Sequence, residues 1–315
     1  MDSTRREFLA ASAALGLGLA TSGGAKAEDA KFKTTLKKAC IVGRPTEAAL
    51  KGAKDAGYDG VESTDCGVPA EEAPKCREIA EKMGMKIHSV LRGWMEFNSK
   101  DPAKVSSSIA AVEQSLKAAQ GYGADAILLV PCRIGGPMPD AWDFKIEFDD
   151  KTGHLKKVVD GDNDKFKAYM EAHDWATDST REAVKKLIPV AEQCKVVIAL
   201  ENVWNNLWVK PEIAKWLVSS FDSPWVKAYF DIGNHVKYAP PEQWLKGFGP
   251  LVAKCHAKDF KLKPDGHGGD FVSLRKGSVN WPLVRKTLDE INYNGWLTVE
   301  GPGNAQDLDL IFKGE

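Results

Sequence analysis

Short apolar runs rich in β-branched residues alternate with longer stretches of helical periodicity along most of the chain. Eight apolar runs predict strands, and each is followed by a segment in which apolar positions recur every three or four residues. The predicted strands are residues 36–42, 58–63, 86–91, 126–130, 196–200, 226–230, 252–256 and 296–299. The predicted helices are residues 46–56, 71–83, 103–121, 178–193, 211–219, 241–247, 281–291 and 305–312. Eight such pairs predict an α/β fold, a closed parallel (β/α)8 TIM barrel.

The rhythm is interrupted after the fourth predicted strand, where residues 133–173 fit no simple strand–helix unit. Residues 144–148 alternate between apolar and polar, a turn-forming run covers 149–153, and a second short run covers 155–159. This order predicts a β-hairpin insertion on the loop after strand four. An open doubly wound sheet is the structural alternative. The barrel is favoured because no Gly-x-Gly-x-x-Gly motif follows the first strand.

The first residues of the chain have the features of an export signal. Arg5 and Arg6 precede a weakly apolar stretch over residues 9–20, and Ala25-Lys26-Ala27 offers a small-x-small cleavage site. This order is typical of a twin-arginine signal peptide. We therefore expect residues 1–27 to be removed and residues 28–315 to form a single barrel domain. The mature protein is expected to be periplasmic, or otherwise exported, without a membrane anchor.

Charge and composition exclude several function classes. Lys and Arg number 43 and Asp and Glu number 44, so the formal net charge is −1, and no basic run favours a nucleic-acid partner. The six cysteines form no Cys-x-x-Cys pair, which argues against a cysteine zinc site. An oxidising compartment permits disulfides, but the sequence assigns no pairing. The sequence also leaves open whether the protein is a homo-oligomer.

Four of the predicted strands end in a side chain that can bind a metal. These side chains are Glu201, Asp231, His256 and Glu300, on strands five to eight. The carboxyl ends of barrel strands meet on one face, where a carboxylate without a partner would be costly to remove from water. Three carboxylates and one imidazole therefore predict one divalent cation, with Mn²⁺ favoured and Mg²⁺, Co²⁺ or Zn²⁺ as alternatives.

The motifs around these residues resemble those of the sugar isomerase/epimerase superfamily with the xylose isomerase-like barrel. The resemblance covers nearly all of the chain after residue 27. It is carried by the segments Glu201-Asn202-Val203-Trp204-Asn205, Phe230-Asp231-Ile232-Gly233-Asn234, His256-Ala257-Lys258-Asp259-Phe260, Gly277-Ser278-Val279-Asn280-Trp281 and Thr298-Val299-Glu300-Gly301. In that family the residues matching the four strand-end side chains hold one divalent metal. The resemblance further implies that the two matching glutamates act as the proton-transfer pair.

The roles of the two glutamates can also be argued from general chemistry. A cation that chelates a carbonyl oxygen and its neighbouring hydroxyl stabilises an enediolate. Glu201 and Glu300 come from strands three apart, so one can remove the α-proton and the other can return it from the opposite side. The alternative is that both are ligands only and another group is the base.

Four further side chains on the first half of the barrel are candidates for substrate binding, most with a structural alternative. Glu62 ends the second strand and either binds a substrate hydroxyl or forms a salt bridge on the rim. His88, inside the third strand, is either a hydrogen-bonded core residue or a substrate contact. Trp94, on the following loop, either stacks on a sugar or packs. Arg133 opens the loop after strand four and could bind an anionic or polar substrate group.

The second half of the barrel adds four more candidates. Asn202 and Asn205 lie just past the fifth strand, so we expect one of them to hydrogen-bond substrate. Lys258 follows the seventh strand and shares a strand face with its histidine. It either neutralises an enediolate or pairs with a carboxylate of the site. His235 follows the sixth strand and either contacts substrate or lies at the surface.

Together these features favour a metal-dependent isomerase or epimerase that acts on a keto-sugar or related carbohydrate through an enediolate. The alternative on the same scaffold is a lyase or dehydratase that performs β-elimination on a keto-sugar or a 3-keto-glycoside. An endonuclease of a related barrel type would need more histidines at strand ends and a basic groove. A non-catalytic sugar-binding protein has little use for four converging metal ligands.

Overall fold

The computed structural model describes residues 32–135 and 138–315. The predicted signal peptide, residues 1–27, lies outside the described residues. Within the described ranges the strands are β1 Lys37–Val42, β2 Gly60–Ser63, β3 Lys86–Trp94, β4 Ala126–Val130, β5 Glu147–Phe148, β6 Leu155–Lys157, β7 Val197–Glu201, β8 Val226–Asp231, β9 Val252–Ala257, β10 Asp259–Leu262, β11 Gly269–Val272 and β12 Trp296–Val299. Eight of these strands close a parallel barrel in the order β1-β12-β9-β8-β7-β4-β3-β2, which confirms the predicted fold.

Helices follow the barrel strands along the chain. In the described ranges they are α1 Glu47–Asp55, α2 Glu72–Lys82, α3 Pro102–Tyr122, α4 Lys167–Cys194, α5 Pro211–Ser219, α6 Pro241–Phe248, α7 Trp281–Glu290 and α8 Ala305–Lys313. Thr46, the first residue of the predicted helix 46–56, caps α1, because its side chain accepts a hydrogen bond from the Ala49 amide at 3.3 Å. Helix α3 begins with Pro102 and ends before Gly123, whose positive φ of 68° suits a glycine.

Helix α4 is the main correction to the predicted elements. It begins at Lys167, whereas the sequence pattern places its start at residue 178. Buried Tyr169, His173 and Ala176 extend its inner face towards the start of the helix. The polar groups of Tyr169 and His173, and the polar residues between the three, hide the period. The irregular segment after β4 is therefore shorter than the predicted 133–173.

The predicted hairpin after β4 is confirmed, although its strands β5 and β6 are shorter than expected. A second hairpin, in which β10 pairs with β11, follows β9 and is not predicted, because its strands are short and contain charged residues. Asp259 anchors this hairpin at its base. The buried carboxylate accepts hydrogen bonds from Trp281 Nε1 at 3.0 Å and from the Gly277 amide at 3.1 Å. Asp259 therefore fixes the start of the second hairpin, three residues after His256.

The apolar core lies mainly between the strands and the helices, and the barrel interior is partly polar. Ile127 and Leu129 belong to the large outer core, whereas Leu128 and Val130 point the other way and pack with Ala199. Fully buried polar side chains occupy other interior positions, among them Glu62, Ser89, His88 and Thr298. Since buried polar groups need hydrogen-bond partners, these residues have to satisfy one another.

The six cysteines carry free thiols, five of them buried and Cys40 half-buried. The structure therefore pairs none of the thiols whose pairing the sequence left open. Among the described residues, no helix combines the length and the apolar character that crossing a membrane requires.

Candidate metal centre

The four candidate ligands lie at the carboxyl ends of neighbouring barrel strands. Glu201 and Asp231 end β7 and β8, His256 is the penultimate residue of β9, and Glu300 directly follows β12. These four strands are adjacent in the barrel, so their ends deliver the side chains to one place. One ligand atom from each residue lies within 4.8 Å of those from the other three.

The imidazole of His256 faces the three carboxylates through its Nδ1 atom. This atom lies 2.9 Å from Glu300 Oε2, 3.6 Å from Glu201 Oε1 and 3.9 Å from Asp231 Oδ2. The side chains of His256 and Asp231 are fully buried, that of Glu201 is 7% exposed and that of Glu300 is 28% exposed. The centre is therefore most accessible from the side of Glu300.

Unpartnered atoms at the centre test whether these residues fit a metal ion. Among the described residues, Asp231 Oδ2, His256 Nδ1 and Glu300 Oε2 are buried atoms that form no hydrogen bond of ordinary geometry, although Nδ1 and Oε2 lie 2.9 Å apart. Buried nitrogen and oxygen atoms are seldom left in this state. Their lone pairs share one centre, and three carboxylates with one imidazole form a donor set that suits a divalent cation. The residues present therefore fit one such ion.

The electrostatics of the centre favour positive charge. Burial raises the pKa of Glu201 and raises the pKa of Asp231 well above its usual value. Burial lowers the pKa of His256, but Glu62 and the other carboxylates around the ring outweigh it and raise that pKa well above its usual range. A proton or a divalent cation at this place would relieve the repulsion between the carboxylates.

Asp231 is held in position by Asn202, which the sequence analysis assigned to substrate binding. The Asn202 side chain donates to the Asp231 carbonyl at 2.8 Å and accepts from the Asp231 amide at 2.7 Å. The carboxylate Oδ1 accepts from the amides of Gly233 and Asn234 at 2.8 and 2.7 Å, which leaves Oδ2 for the centre. The backbone of Asp231 therefore engages both polar atoms of the Asn202 amide, and a contact of Asn202 with substrate stays a prediction.

Glu62 holds His256 from the side of the ring that faces away from the centre. Its Oε2 accepts a hydrogen bond from His256 Nε2 at 2.6 Å, and its Oε1 accepts from Ser89 Oγ at 2.8 Å. The Glu62 side chain is fully buried, so its ion pair is with His256 inside the barrel rather than with a residue on the exposed rim. With Nε2 engaged by Glu62, Nδ1 is the ring nitrogen that faces the centre. A carboxylate behind a ligand histidine fixes the ring and raises its basicity.

His88 lies in the buried interior, so of the two predicted alternatives the core residue holds. Its Nδ1 is 3.0 Å from Ser89 Oγ, and its Nε2 is 2.9 Å from Thr298 Oγ1. The ring stacks on Trp296, with centroids 4.6 Å apart, and burial lowers its pKa well below the usual range. Because both ring nitrogens have partners, His88 has none left for substrate. A hydrogen-bond chain runs from Thr298 through His88, Ser89 and Glu62 to His256.

Asn205 and His235 both form hydrogen bonds to backbone carbonyls, and their predicted contacts with substrate stay predictions. The Asn205 side chain donates to the Cys132 carbonyl at 3.1 Å and accepts from the Leu207 amide at 3.0 Å. His235 donates through Nε2 to the Val203 carbonyl at 2.9 Å, and burial lowers its pKa to about 3. His235 is also fully buried, so the surface alternative for this residue is wrong.

Lys258, Trp94 and Arg133 lie at the mouth of the barrel. Lys258 Nζ is 3.2 Å from Glu300 Oε2 and 3.8 Å from Asp231 Oδ2, which fits either of its predicted roles. Trp94 is the last residue of β3 rather than part of a loop, and it is 40% exposed. The Arg133 guanidinium lies 3.8 Å from the centre of the Trp94 ring. Trp94 and Arg133 are therefore in contact with each other through a cation–π interaction.

Two exposed aromatic residues at the mouth are absent from the predicted site. Trp204 and Phe271 are each 40% exposed, and their ring centroids are 5.0 Å apart. Trp204 follows Glu201 within one of the quoted motifs, and that proximity was a signal that could have identified it. Phe271 lies in the second hairpin, and the sequence offers no signal for it.

Comparisons with known proteins agree with the barrel architecture. The family model described as a xylose isomerase-like TIM barrel matches residues 50–311. An uncharacterized protein of Methanocaldococcus jannaschii is 26% identical over 129 residues, which cover 39% of this chain and 43% of that protein. The match to this curated relative therefore spans less than half of its length.

Solved structures share the fold at low sequence identity. A D-tagatose 3-epimerase-like protein is 16% identical with a TM-score of 0.64, over 87% of this chain and 94% of that chain. A xylose isomerase domain protein from Planctomyces limnophilus is 18% identical with a TM-score of 0.63, over 88% and 94%. The 3-keto-D-glucoside 4-epimerase from E. coli is 14% identical with a TM-score of 0.61, over 89% and 97%. These similarities show the fold alone.

Proposed function

Since this chain belongs to the xylose isomerase-like TIM barrel family, we propose that it is a divalent-metal-dependent isomerase or epimerase of a keto-sugar or related carbohydrate. The observation that carries the proposal is the convergence of three carboxylates and one imidazole at the carboxyl-terminal mouth of the barrel. Active sites of this fold lie on that face. Two of the structural neighbours are named for sugar epimerisation, which supports a carbohydrate substrate.

The proposed metal ligands are Glu201, Asp231, His256 and Glu300, and Mn²⁺ is the proposed ion. When bound, a divalent cation polarises a substrate carbonyl and so makes the neighbouring C–H more acidic. The protein's own contribution is to hold the ligands in place. Asn202 fixes the backbone of Asp231, and Glu62 fixes the ring of His256. Ligands that are held in this way need little rearrangement when substrate arrives.

Proton transfer is assigned to Glu201 and Glu300. Both carboxylates approach the centre from the outer strands of the four-strand arc, β7 and β12. One of them removes the proton from the carbon next to the carbonyl and keeps it, and the other, which carries a proton of its own, donates that second proton to the opposite face. The ammonium of Lys258, near Glu300 and Asp231, is placed to offset the negative charge of the enediolate. Removal of a proton from one face and delivery of a proton to the other face inverts that carbon, and the mass of the sugar does not change.

The first test is solvent exchange. The Mn²⁺-loaded full-length protein in D₂O is expected to introduce deuterium next to the carbonyl of at least one sugar from D-fructose, D-tagatose, D-allulose and methyl 3-keto-glucoside. Mass spectrometry and NMR detect the label and show whether the product keeps the mass of the substrate apart from the label. Exchange should disappear after chelation and return with Mn²⁺. Exchange that survives chelation, or none with any sugar, would contradict the proposal.

We also propose that the protein is exported by the twin-arginine route. Replacing both Arg5 and Arg6 with Lys is expected to keep the uncleaved precursor in the cytoplasm of a host with that pathway, because Lys lacks the planar guanidinium. Cell fractionation and N-terminal sequencing measure the outcome, and Arg275→Lys on the exposed surface is the matched control. Equal export of the double variant would contradict this route, and a mature start other than residue 28 would contradict the predicted cleavage site.

A further inference from the structure

We propose that Trp204 and Phe271 form an aromatic wall at the mouth of the barrel that binds a second sugar ring. The substrate would then be a glycoside or a keto-disaccharide rather than a free monosaccharide. This inference rests on the proposed function, because it extends the same substrate site. The inference is based on two large apolar side chains that lie side by side at the mouth of the proposed sugar site. Each of them is 40% exposed.

Both rings are supported from beneath by a buried aromatic residue. Phe260 is fully buried and packs edge-on against both rings, with centroid distances of 5.4 Å to Trp204 and 5.1 Å to Phe271. The Trp204 Nε1 atom donates to the Asn234 carbonyl in the loop after β8, which fixes the orientation of the indole. The wall is therefore built into the structure, and 40% of each of its two side chains remains exposed.

Lys258 connects the wall to the metal centre. Its Nζ atom lies 3.2 Å from Glu300 Oε2 and 4.7 Å from the centre of the Phe271 ring. The centre of the Phe271 ring therefore lies no farther from Glu300 Oε2 than these two distances added together. This upper limit is comparable to the width of one sugar ring. A ketose unit at the centre would place a substituent that extends towards Glu300 against the wall.

Amines beside the wall favour a sugar over a plain hydrocarbon. Lys237 Nζ lies 3.5 Å from the centre of the Trp204 ring, and no carboxylate of the described residues forms an ion pair with it. Partial burial lowers the pKa of Lys237 to about 8. A hexopyranose presents C–H groups on its face and hydroxyls at its edge. The face matches an aromatic ring and the edge matches the donors of an amine.

The hairpin that carries Phe271 is held in place by the other insertion. His267 lies in the turn between β10 and β11 and contacts Asp143 at 3.0 Å between Nε2 and Oδ2. Its ring also stacks on Trp142, with centroids 5.0 Å apart. The hairpin is therefore tied at its base by Asp259 and at its turn by His267. A wall that is already ordered loses little entropy when it binds a ligand.

The test compares one-ring and two-ring ligands that share a ketose unit. Calorimetric titration of the Mn²⁺-loaded full-length protein would measure the affinities of D-fructose and of maltulose, lactulose and isomaltulose. We expect at least one keto-disaccharide to bind tenfold or more tightly than D-fructose. Phe271→Ala should remove most of this preference, measured as the ratio of the disaccharide affinity to the D-fructose affinity of the same variant. Phe271→Leu, which keeps apolar volume without the ring, should behave in the same way.

Trp175→Ala is the matched control. Trp175 resembles the wall residues because it is 44% exposed and has Lys100 over its ring. It differs from them in position, because it lies on α4 beside the loop after β3. This variant should keep the disaccharide preference. The inference is overturned if disaccharides bind no more tightly than D-fructose, or if the Phe271 variants weaken both ligand classes equally.

Deuterium exchange in the same samples distinguishes failure of the aromatic wall from failure of the proposed function. Exchange with D-fructose but no disaccharide preference refutes the wall alone, whereas neither binding nor exchange with any sugar refutes the proposed function and the wall together.

Discussion

Replacement of Glu201 with Gln is expected to reduce solvent deuterium exchange by about 10²–10⁴-fold, the range that a positioned acid or base contributes. Gln keeps the shape of the side chain and one oxygen, but it cannot accept the α-proton. Because Glu201 is also a proposed ligand, exchange has to be measured at saturating Mn²⁺. The affinity for Mn²⁺ is determined separately from the free-ion signal in electron paramagnetic resonance. The expected result is a large loss of exchange that added Mn²⁺ does not restore.

Glu300→Gln provides the paired measurement, because we propose that the two carboxylates serve opposite faces of the same carbon. Each single variant should exchange at most one of two epimeric sugars and should form no epimer. Glu192→Gln, at an exposed position near the end of α4, is the control for loss of a carboxylate elsewhere. If Glu201→Gln exchanges both epimers at the wild-type rate once Mn²⁺ saturates, Glu201 is a ligand only and another group is the base. That outcome would contradict the acid–base assignment and leave the metal site standing.

The barrel and the ends of its strands could be predicted because both depend on local pattern. A parallel strand that is covered on both faces is a short apolar run, and the helix after it shows its own period. The strand that ends in Glu201 and the strand that ends in Asp231 are of this type. A charged residue that directly follows such a run has to lie at the strand end. In a parallel barrel this also fixes the face on which the residue lies.

The depth of a side chain could not be predicted, because it depends on how the strands are staggered. Barrel strands are tilted, so residues at the ends of different strands do not lie at one level. Glu62 is next to the last residue of β2 but lies in the register of Ser89, well inside β3, and a shift in register separates it from Val61. The sequence therefore indicates a carboxylate near the mouth and cannot show that it lies beneath His256. The same limit applies to Asn202, whose amide turns towards the neighbouring strand.

Elements without a strong period were the other source of error. The first turns of α4 contain His173 and Tyr169 at inner positions, so the helix lacks a continuous apolar face there. Strands β10 and β11 have four residues each, and their sequences Asp-Phe-Lys-Leu and Gly-Asp-Phe-Val read equally well as loop. Their pairing depends on contacts from distant parts of the chain, such as that of Asp259 with Trp281. Phe271 could not be assigned to the mouth until this hairpin was placed.

Replacement of Glu62 with Gln is expected to weaken Mn²⁺ binding by roughly 10–100-fold, the usual effect of removing a carboxylate behind a ligand histidine. The wild-type carboxylate accepts from His256 Nε2 at 2.6 Å and increases the electron density at Nδ1, which faces the centre. Gln keeps the hydrogen-bond geometry but removes the negative charge. The ring is then less basic and the positive charge of the ion is less well compensated. Titration of Mn²⁺ followed by electron paramagnetic resonance measures the change.

Ser89→Ala separates the charge of Glu62 from its packing. This variant removes the hydrogen bond to Glu62 Oε1 and leaves the carboxylate and its contact with His256 in place. We therefore expect a smaller loss of Mn²⁺ affinity than for Glu62→Gln, while thermal unfolding reports how far each change destabilises the barrel. A structural role alone would lower the melting temperature of both variants and leave the affinity of the folded protein for Mn²⁺ unchanged. An unchanged affinity in Glu62→Gln would thus show that the carboxylate supports the barrel rather than the metal.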